Sequence, residues 1–280
     1  MKISVLSLFR DSGDLSIFFN SMDRLEKVTD ADFSYFLYEN DSLDGTRDLL
    51  KAWCSGHSNR FLIYEDLDTP KFGSVSNDLR FILMSHYRNT LLKYSMEHLD
   101  SDFTLLIDSD IIPESELINK SLSVFSSKVE MVTPNTVVKT LPCKMCSCGR
   151  PVYYDSLALN DIDGNPSMTW ACNPFYQKSD RDKWAAMQPV EVSRAFAGAA
   201  LIRTEVLKKC NWNLDISQPA CEHWGFCDMV RQYGQILAVP SIHSESIVSD
   251  SILASISQQH FNAVSLQQKK IMHDYFNSEY

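Results

Sequence analysis

The chain has 280 residues, enough for one large domain or two small ones with a substantial buried core. At 44% hydrophobic and 22% charged, with 9 glycines and 10 prolines, it has the composition of an ordinary globular protein and not of a fibrous or low-complexity one. A formal net charge of −10 argues against nucleic acid and anionic lipid as partners, but leaves room for an anionic substrate where an arginine or metal reverses the local potential.

The first segment, KISVLSLF (residues 2–9), is a short apolar run cut by Arg10 and Asp11. It contains two serines and no small-residue cleavage site follows it, so a buried strand is expected rather than a secretory signal. No later apolar run approaches the roughly 18 residues that cross a bilayer, and the expectation is a soluble, cytoplasmic protein. Residues 14–27 place Leu15, Phe18, Phe19, Met22 and Leu25 on one helix face. FSYFLYEN (33–40) reads as a second strand, and DGTRDLLKAW (44–53) returns to a helical pattern with Thr46 as its N-cap. FLIYED (61–66) is a third strand, residues 77–99 form the longest periodic helix, and FTLLI (103–107) is a fourth strand.

This rhythm predicts an α/β fold with a mostly parallel sheet and helices on both faces. Strands buried on both sides read as continuous apolar runs, as FTLLI does. Ligands of such sheets bind outside the carboxyl ends of the strands. Four strand ends therefore share one edge: Arg10-Asp11, Glu39-Asn40-Asp41, Glu65-Asp66 and Asp108-Ser109-Asp110. Farther on, 116–125 reads as helix, 129–135 as strand, 195–210 as a small-residue strand running into a helix, 224–234 as helix and 235–243 as strand. Residues 139–190 read as a loop-rich region packed on the sheet, and the tail from Ser251 as a surface helix.

The spacing D-x-D occurs six times, so at Asp108 and Asp110 only its place after a buried strand sets it apart from an ordinary turn. Cys143, Cys146 and Cys148 crowd into LPCKMCSCGRP. Two readings stay open: a loop of reduced thiols, which is favoured because a second C-x-x-C pair is missing, or three ligands to a structural zinc with Cys172 as the fourth. The other cysteines are scattered and read as small buried apolar residues.

In chain order, YENDSLDGTRDLL (38–50), SHYRNTLLKYS (85–95), LLIDSDIIP (105–113), FAGAALIRTEVL (196–207) and CEHWGFCDMVRQYGQILAVPSIHSE (221–245) resemble the motifs of GT-A glycosyltransferases. Within that class the sequence distantly resembles fungal capsule-associated mannosyltransferases, which share Arg-Asn-x-x-L and a counterpart of YYDSLALNDIDG (153–164). It departs from them at CEHWGF and at C-x-x-C-x-C. The resemblance implies a single GT-A domain over 1–280, with a nucleotide-sugar half (1–113), an acceptor half (114–250) and a helical tail.

It also implies roles for residues. A nucleotide-sugar donor, UDP-linked first and GDP-linked next, would be met by Arg10, Asp11, Glu39, Asn40, Arg88, Asn89, Asp108, Ser109 and Asp110, with Arg80 and Asp41 as weaker candidates. Mn²⁺ or Mg²⁺, which prefer oxygen ligands, would be held by Asp110 and Asp108, with His243 completing the site. An oligosaccharide or glycan acceptor would meet Asp155 and the Trp224 ring. Inversion needs a carboxylate base, and Glu222 is expected to be that base, with Asp155 and Asp228 as alternatives. In a retaining enzyme Glu222 would orient or stabilise. A nucleotidyltransferase is disfavoured because LFRDSGDL (8–15) holds only one glycine where such enzymes carry a Gly-rich phosphate loop; a catalytically inactive sugar-binding module is the remaining alternative.

Overall fold

The computed structural model describes residues 1–72, 78–143, 145–146, 148–213 and 221–247. The helix expected over residues 251–280 lies outside the described residues. The first half alternates as the sequence pattern predicts: β1 (Lys2–Phe9), α1 (Ser16–Val28), β2 (Asp32–Asn40), α2 (Thr46–Cys54), β3 (Arg60–Glu65), α3 (Asp78–Ser95) and β4 (Phe103–Ile107). β1 pairs in parallel with β2 and with β4, and β2 with β3, so all four carboxyl ends lie along one edge. Ile3 and Val5 of β1 point into one core while Leu6 points into the other, and this two-sided burial is why the strand shows no polar alternation.

The second half adds β5 (Ile111–Pro113), α4 (Leu117–Val124), β6 (Val129–Pro142), β7 (Pro151–Tyr153), β8 (Asn160–Asp161), α5 (Lys178–Ala185), β9 (Val190–Arg194), β10 (Ala199–Arg203), α6 (Thr204–Leu207), α7 (His223–Val230) and β11 (Gln235–Ser246). All strands join one 11-stranded mixed sheet in the order β3-β2-β1-β4-β10-β6-β11-β9-β8, with β5 on β11 and β7 on β6. β10 enters antiparallel between β4 and β6, which ties the two halves into one sheet.

Helices cover both faces. Phe18, Met22 and Leu25 of α1, Leu50 of α2 and Ile118 of α4 fill one core. Tyr87 and Leu91 of α3, Val206 of α6 and Phe226 and Val230 of α7 fill the other. Each such side chain, fully buried, contributes roughly 1.5–3 kcal/mol. A third, smaller core joins Val138 of β6 to Val152 and Met168 of the region 139–190. One local expectation is corrected: Gly45, at φ +85°, stands at the N-cap of α2, and Thr46 is the first helical residue. The Asp44 carboxylate accepts both the Thr46 N–H (3.0 Å) and its hydroxyl (2.6 Å), so the aspartate, two residues earlier, fixes the turn. Among the described residues no helix is long and apolar enough to cross a membrane.

Candidate active site

The D-x-D turn is built by the strands on either side of it. β4 runs apolar and buried to Ile107, and the Asp108 N–H then donates to Gly198 O at 2.9 Å. The turn closes with Ile111 N–H on Asp108 O (3.2 Å), and Asp110 O accepts Ile247 N–H at 2.8 Å. Gly198, at φ +68°, leaves the space this requires: a Cβ there would sit 2.6 Å from Ile111 Cδ1 and 3.3 Å from the Tyr154 ring. Small residues in FAGAA thus let the chain pass directly beneath the acidic turn.

Around the turn four carboxylates converge. Arg88, on α3 and only 7% exposed, donates to Asp108 Oδ1 at 3.0 Å and lies 3.7 Å from Glu222 Oε1. Its guanidinium also lies over Phe196, 4.8 Å from the ring centroid. Glu222, 3% exposed at the start of α7, has His223 Nε2 3.4 Å from the same oxygen. Trp212 Nε1–H meets His223 Nδ1 at 3.4 Å, which assigns the imidazole proton to Nε2, facing Glu222. Asp155 accepts the N–H groups of Ala197 (3.0 Å) and Ala158 (3.3 Å), which point its carboxylate toward this group.

The electrostatics follow from the crowding. Burial of its carboxyl among these groups, followed by the Asp108 charge, pushes Asp110 up to about 7, although the residue as a whole is exposed. Burial, Glu222 and Asp108 push Asp155 up to about 7 as well. Burial raises Asp108 against the opposing pull of Arg88. For Glu222, burial is outweighed by the Nε2–H of the facing, neutral His223 ring and by the Arg88 and Arg80 charges, and the carboxyl stays below its ordinary range. Burial and the Arg88 charge push His223 down to about 3, so the imidazole is neutral. The Tyr154 phenol, beside Asp110, is raised by that charge and by burial.

Several expected residues are engaged elsewhere. Asn89 is turned away from the strand edge, its carboxamide spent on the Trp212 carbonyl (2.9 Å) and N–H (2.8 Å). His243 is not brought to the D-x-D turn: β11 pairs Ser246 with Ile111, whereas the exposed His243 lies opposite Glu114, whose N–H and side chain hold its backbone. Three residues of strand place it roughly 10 Å along β11 from that point. Glu39 is fully buried, its oxygens taken by Arg47 and by Ser42 N–H at 2.8 Å. Asp228 is held by a two-point contact with Arg194 (3.0 and 2.8 Å), and Arg194 in turn lies over the Trp224 ring.

A cleft beside the strand ends remains for a ligand. Arg10, Asn40, Pro70, Lys71, Met84 and Tyr87 line it, with Arg80 at its side. Arg10 also fixes the loop after β3 through Thr69 and Pro70, and Asp41 caps that loop by accepting the N–H groups of Leu67, Asp68 and Thr69. Asp11 accepts Leu43 N–H at 2.6 Å and pairs with Lys71 at 2.8 Å. Ser109 Oγ meets Ser12 Oγ at 3.3 Å, joining the acidic turn to the loop after β1. Trp224 donates its ring N–H to Leu157 O at 3.2 Å, so its partly buried ring lies against the loop after Tyr154. Tyr154 and His223 carry no motif of their own; they sit inside YYD and CEH, and only the fold brings them to the acids.

No family model and no curated protein matches the sequence. Solved structures do match. TarS from S. aureus is 16% identical with a TM-score of 0.50, covering 91% of this chain and 38% of its own. TarS 1-349 in complex with UDP-GlcNAc is 15% identical with a TM-score of 0.47, covering 91% and 61%. The mannosyltransferase PcManGT from Pyrobaculum calidifontis, in complex with GDP-Man and Mn²⁺, is 11% identical with a TM-score of 0.48, covering 89% and 57%. The chain thus spans only 38–61% of the length of these proteins. At this identity the likeness shows the fold: this chain, matched by TarS at a TM-score of 0.50, has the α/β arrangement of the GT-A class, a mixed, mostly parallel sheet covered by helices.

Proposed function

We propose that the chain transfers one sugar from a nucleotide-diphosphate sugar to a hydroxyl of a glycan acceptor. The observation that carries this reading is the buried Arg88, which joins the acid that ends β4 to the acid that opens α7. One guanidinium thereby holds together the carboxylates read here as donor-side and acceptor-side. Asp108 and Asp110 fit a divalent cation: both are oxygen donors, and burial together with the Asp108 charge raises the Asp110 carboxyl, a cost that a bound cation would relieve. Mn²⁺ or Mg²⁺ bound there would neutralise the charge that builds on the departing diphosphate.

The chain's own residues supply the rest. Arg80 adds positive charge beside the same acids, and the cleft over Asn40 and Tyr87 receives the nucleoside, for which UDP is the first candidate and GDP the next. Glu222 stays ionised and can take the proton of the attacking hydroxyl in an inverting transfer. Asp155 is the second reading for the base, favoured by its greater exposure and by a carboxyl near neutrality. Trp224 offers an aromatic edge to the acceptor.

Glu222→Gln and Asp155→Asn separate these roles. The variant that loses the base keeps nucleotide-sugar binding and loses turnover by about 10²–10⁴-fold. Weakened donor binding with unchanged turnover in both variants would remove both residues from catalysis.

A further inference from the structure

We propose that Cys143, Cys146, Cys148 and Cys172 bind one structural zinc ion that pins the turn after β6 to the segment following Ala171. The sequence offers three of these thiols in a run of six residues. The fourth is supplied by topology. β6 and β7 form a hairpin whose turn carries Cys143–Cys148, and Tyr153 N–H bonds to Ala171 O at 2.9 Å. That places Cys172 against the turn, where its own N–H donates to Cys143 Sγ at 3.3 Å.

All four sulfurs lie within 4.8 Å of one another. Zinc–sulfur bonds of about 2.3 Å in a tetrahedron set the sulfurs about 3.8 Å apart. Cys146–Cys143 is 3.5 Å, and Cys172 is 3.6 Å from both Cys146 and Cys148. Cys146 and Cys148 are 2.6 Å apart, longer than the roughly 2.0 Å of a disulfide bond, and they part by about 1.2 Å to reach the tetrahedral edge. Both are exposed on the turn, so little packing resists that movement. A cluster of several iron atoms needs sulfurs spread more widely than this; the spacing fits a single ion.

The surroundings suit thiolates. Cys143 Sγ accepts backbone N–H groups from Met145, Cys146 and Cys172, and the Arg150 side chain reaches Cys148. Four thiolates and one Zn²⁺ leave a net double negative charge, which these donors and the guanidinium offset. Val138, Met145, Val152, Met168 and Ala171 close an apolar shell around the group. A core this small holds a long irregular region weakly, and closing the chain between residues 143 and 172 through an ion removes much of that freedom. With every ligand position filled by protein, the ion has no open site for chemistry. Its consequence is positional: Tyr154 packs on this core and leads into Asp155, so the ion steadies the acceptor side of the cleft. The other four cysteines lie elsewhere: at the end of α2, in the turn after α6, two residues before α7, and in α7 itself.

The test is elemental analysis of the purified full chain, together with the absorption spectrum after cobalt(II) replacement. The expected result is one zinc per chain, lost in Cys148→Ser and Cys172→Ser but kept in Cys54→Ser and Asp110→Ala. Wild-type protein loaded with cobalt shows sulfur-to-cobalt charge transfer and tetrahedral bands; carboxylate ligands produce no such charge transfer, so this readout is independent of how the variants fold and of the acidic site. Zinc-free protein with no sulfur–cobalt band, iron in place of zinc, a Cys146–Cys148 disulfide by mass spectrometry, or zinc that survives Cys172→Ser and leaves with Asp110→Ala would each overturn the proposal.

Discussion

Replacing Arg88 with methionine probes both the stability of the site and its chemistry. The guanidinium is buried, 3.0 Å from Asp108 and 3.7 Å from Glu222, and methionine restores much of the volume without the charge. Two carboxylates then face each other across a poorly hydrated space. Breaking a buried ion pair from one side costs about 3–5 kcal/mol, which for a chain of this size lowers Tm by about 5–9 °C. Urea unfolding followed by tryptophan fluorescence measures the loss directly. Adding Asp108→Asn removes one of the stranded charges, so the double variant should lose less stability than the sum of the singles, by about 1–3 kcal/mol. Arg88→Lys should not rescue, because an ammonium cannot span both acids and cover Phe196 as the planar guanidinium does. An Arg88→Met protein within about 0.5 kcal/mol of wild type, with no coupling to Asp108, would refute the view that this arginine organises the site.

Three further outcomes follow from the geometry. Gly198→Ala should destabilise by about 1–3 kcal/mol and weaken metal-dependent donor binding, because the new Cβ is strained at φ +68° and displaces Ile111 from beneath the acidic turn; calorimetry and donor titration read the two effects. Asn89→Ala should cost about 1–3 kcal/mol of stability, since it strands the Trp212 N–H and carbonyl, yet leave nucleotide affinity unchanged; a lost affinity at normal stability would return Asn89 to the donor site. The third concerns pH. Asp110 is pushed up to about 7 from an unfolded value of about 3.9, so between those values the metal-free folded state holds the extra proton and its stability falls as pH rises. His223, pushed down to about 3, acts in the opposite direction below about 6.5, so the comparison must be with Asp110→Asn. That variant's stability relative to wild type should grow from pH 4 to pH 7 in urea titrations with EDTA; a constant difference would contradict the shift.

Much of this was readable in the residues, for identifiable reasons. Parallel strands buried on both faces announce themselves as apolar runs, and the ends of β1, β2, β3 and β4 lie on one edge as FTLLI and its companions predict. Five of the six D-x-D pairs are separated more sharply in three dimensions: Asp66 pairs with Arg47, Asp100 with Lys2, Asp182 with Lys178, and Asp161 closes its own turn on Asn165, whereas Asp110 lies exposed beside Asp108. What periodicity does not encode is antiparallel pairing between distant segments. The register of β11 on β5, with an irregularity between Val239 and His243 on β6, decides that Ser246 and not His243 lies beside the acidic turn. Asn89 misled for a related reason: a helical residue reads as facing the ligand edge until its other neighbour, the loop at Trp212, is placed. The convergence of Cys172 on the C-x-x-C-x-C turn depends on the β6–β7 hairpin, whose strand β7 is only three residues long and has no sequence signature.

The central claim is that Asp108 and Asp110 hold a divalent cation against the diphosphate of a sugar nucleotide. It is tested most directly by measuring release of free nucleoside diphosphate from a panel of UDP- and GDP-sugars, with Mn²⁺ or with EDTA, for wild type and for Asp110→Asn. Metal-dependent release by wild type, abolished by EDTA and by Asp110→Asn, is the predicted result. Equal release by the folded Asp110→Asn protein in the presence of EDTA would contradict it.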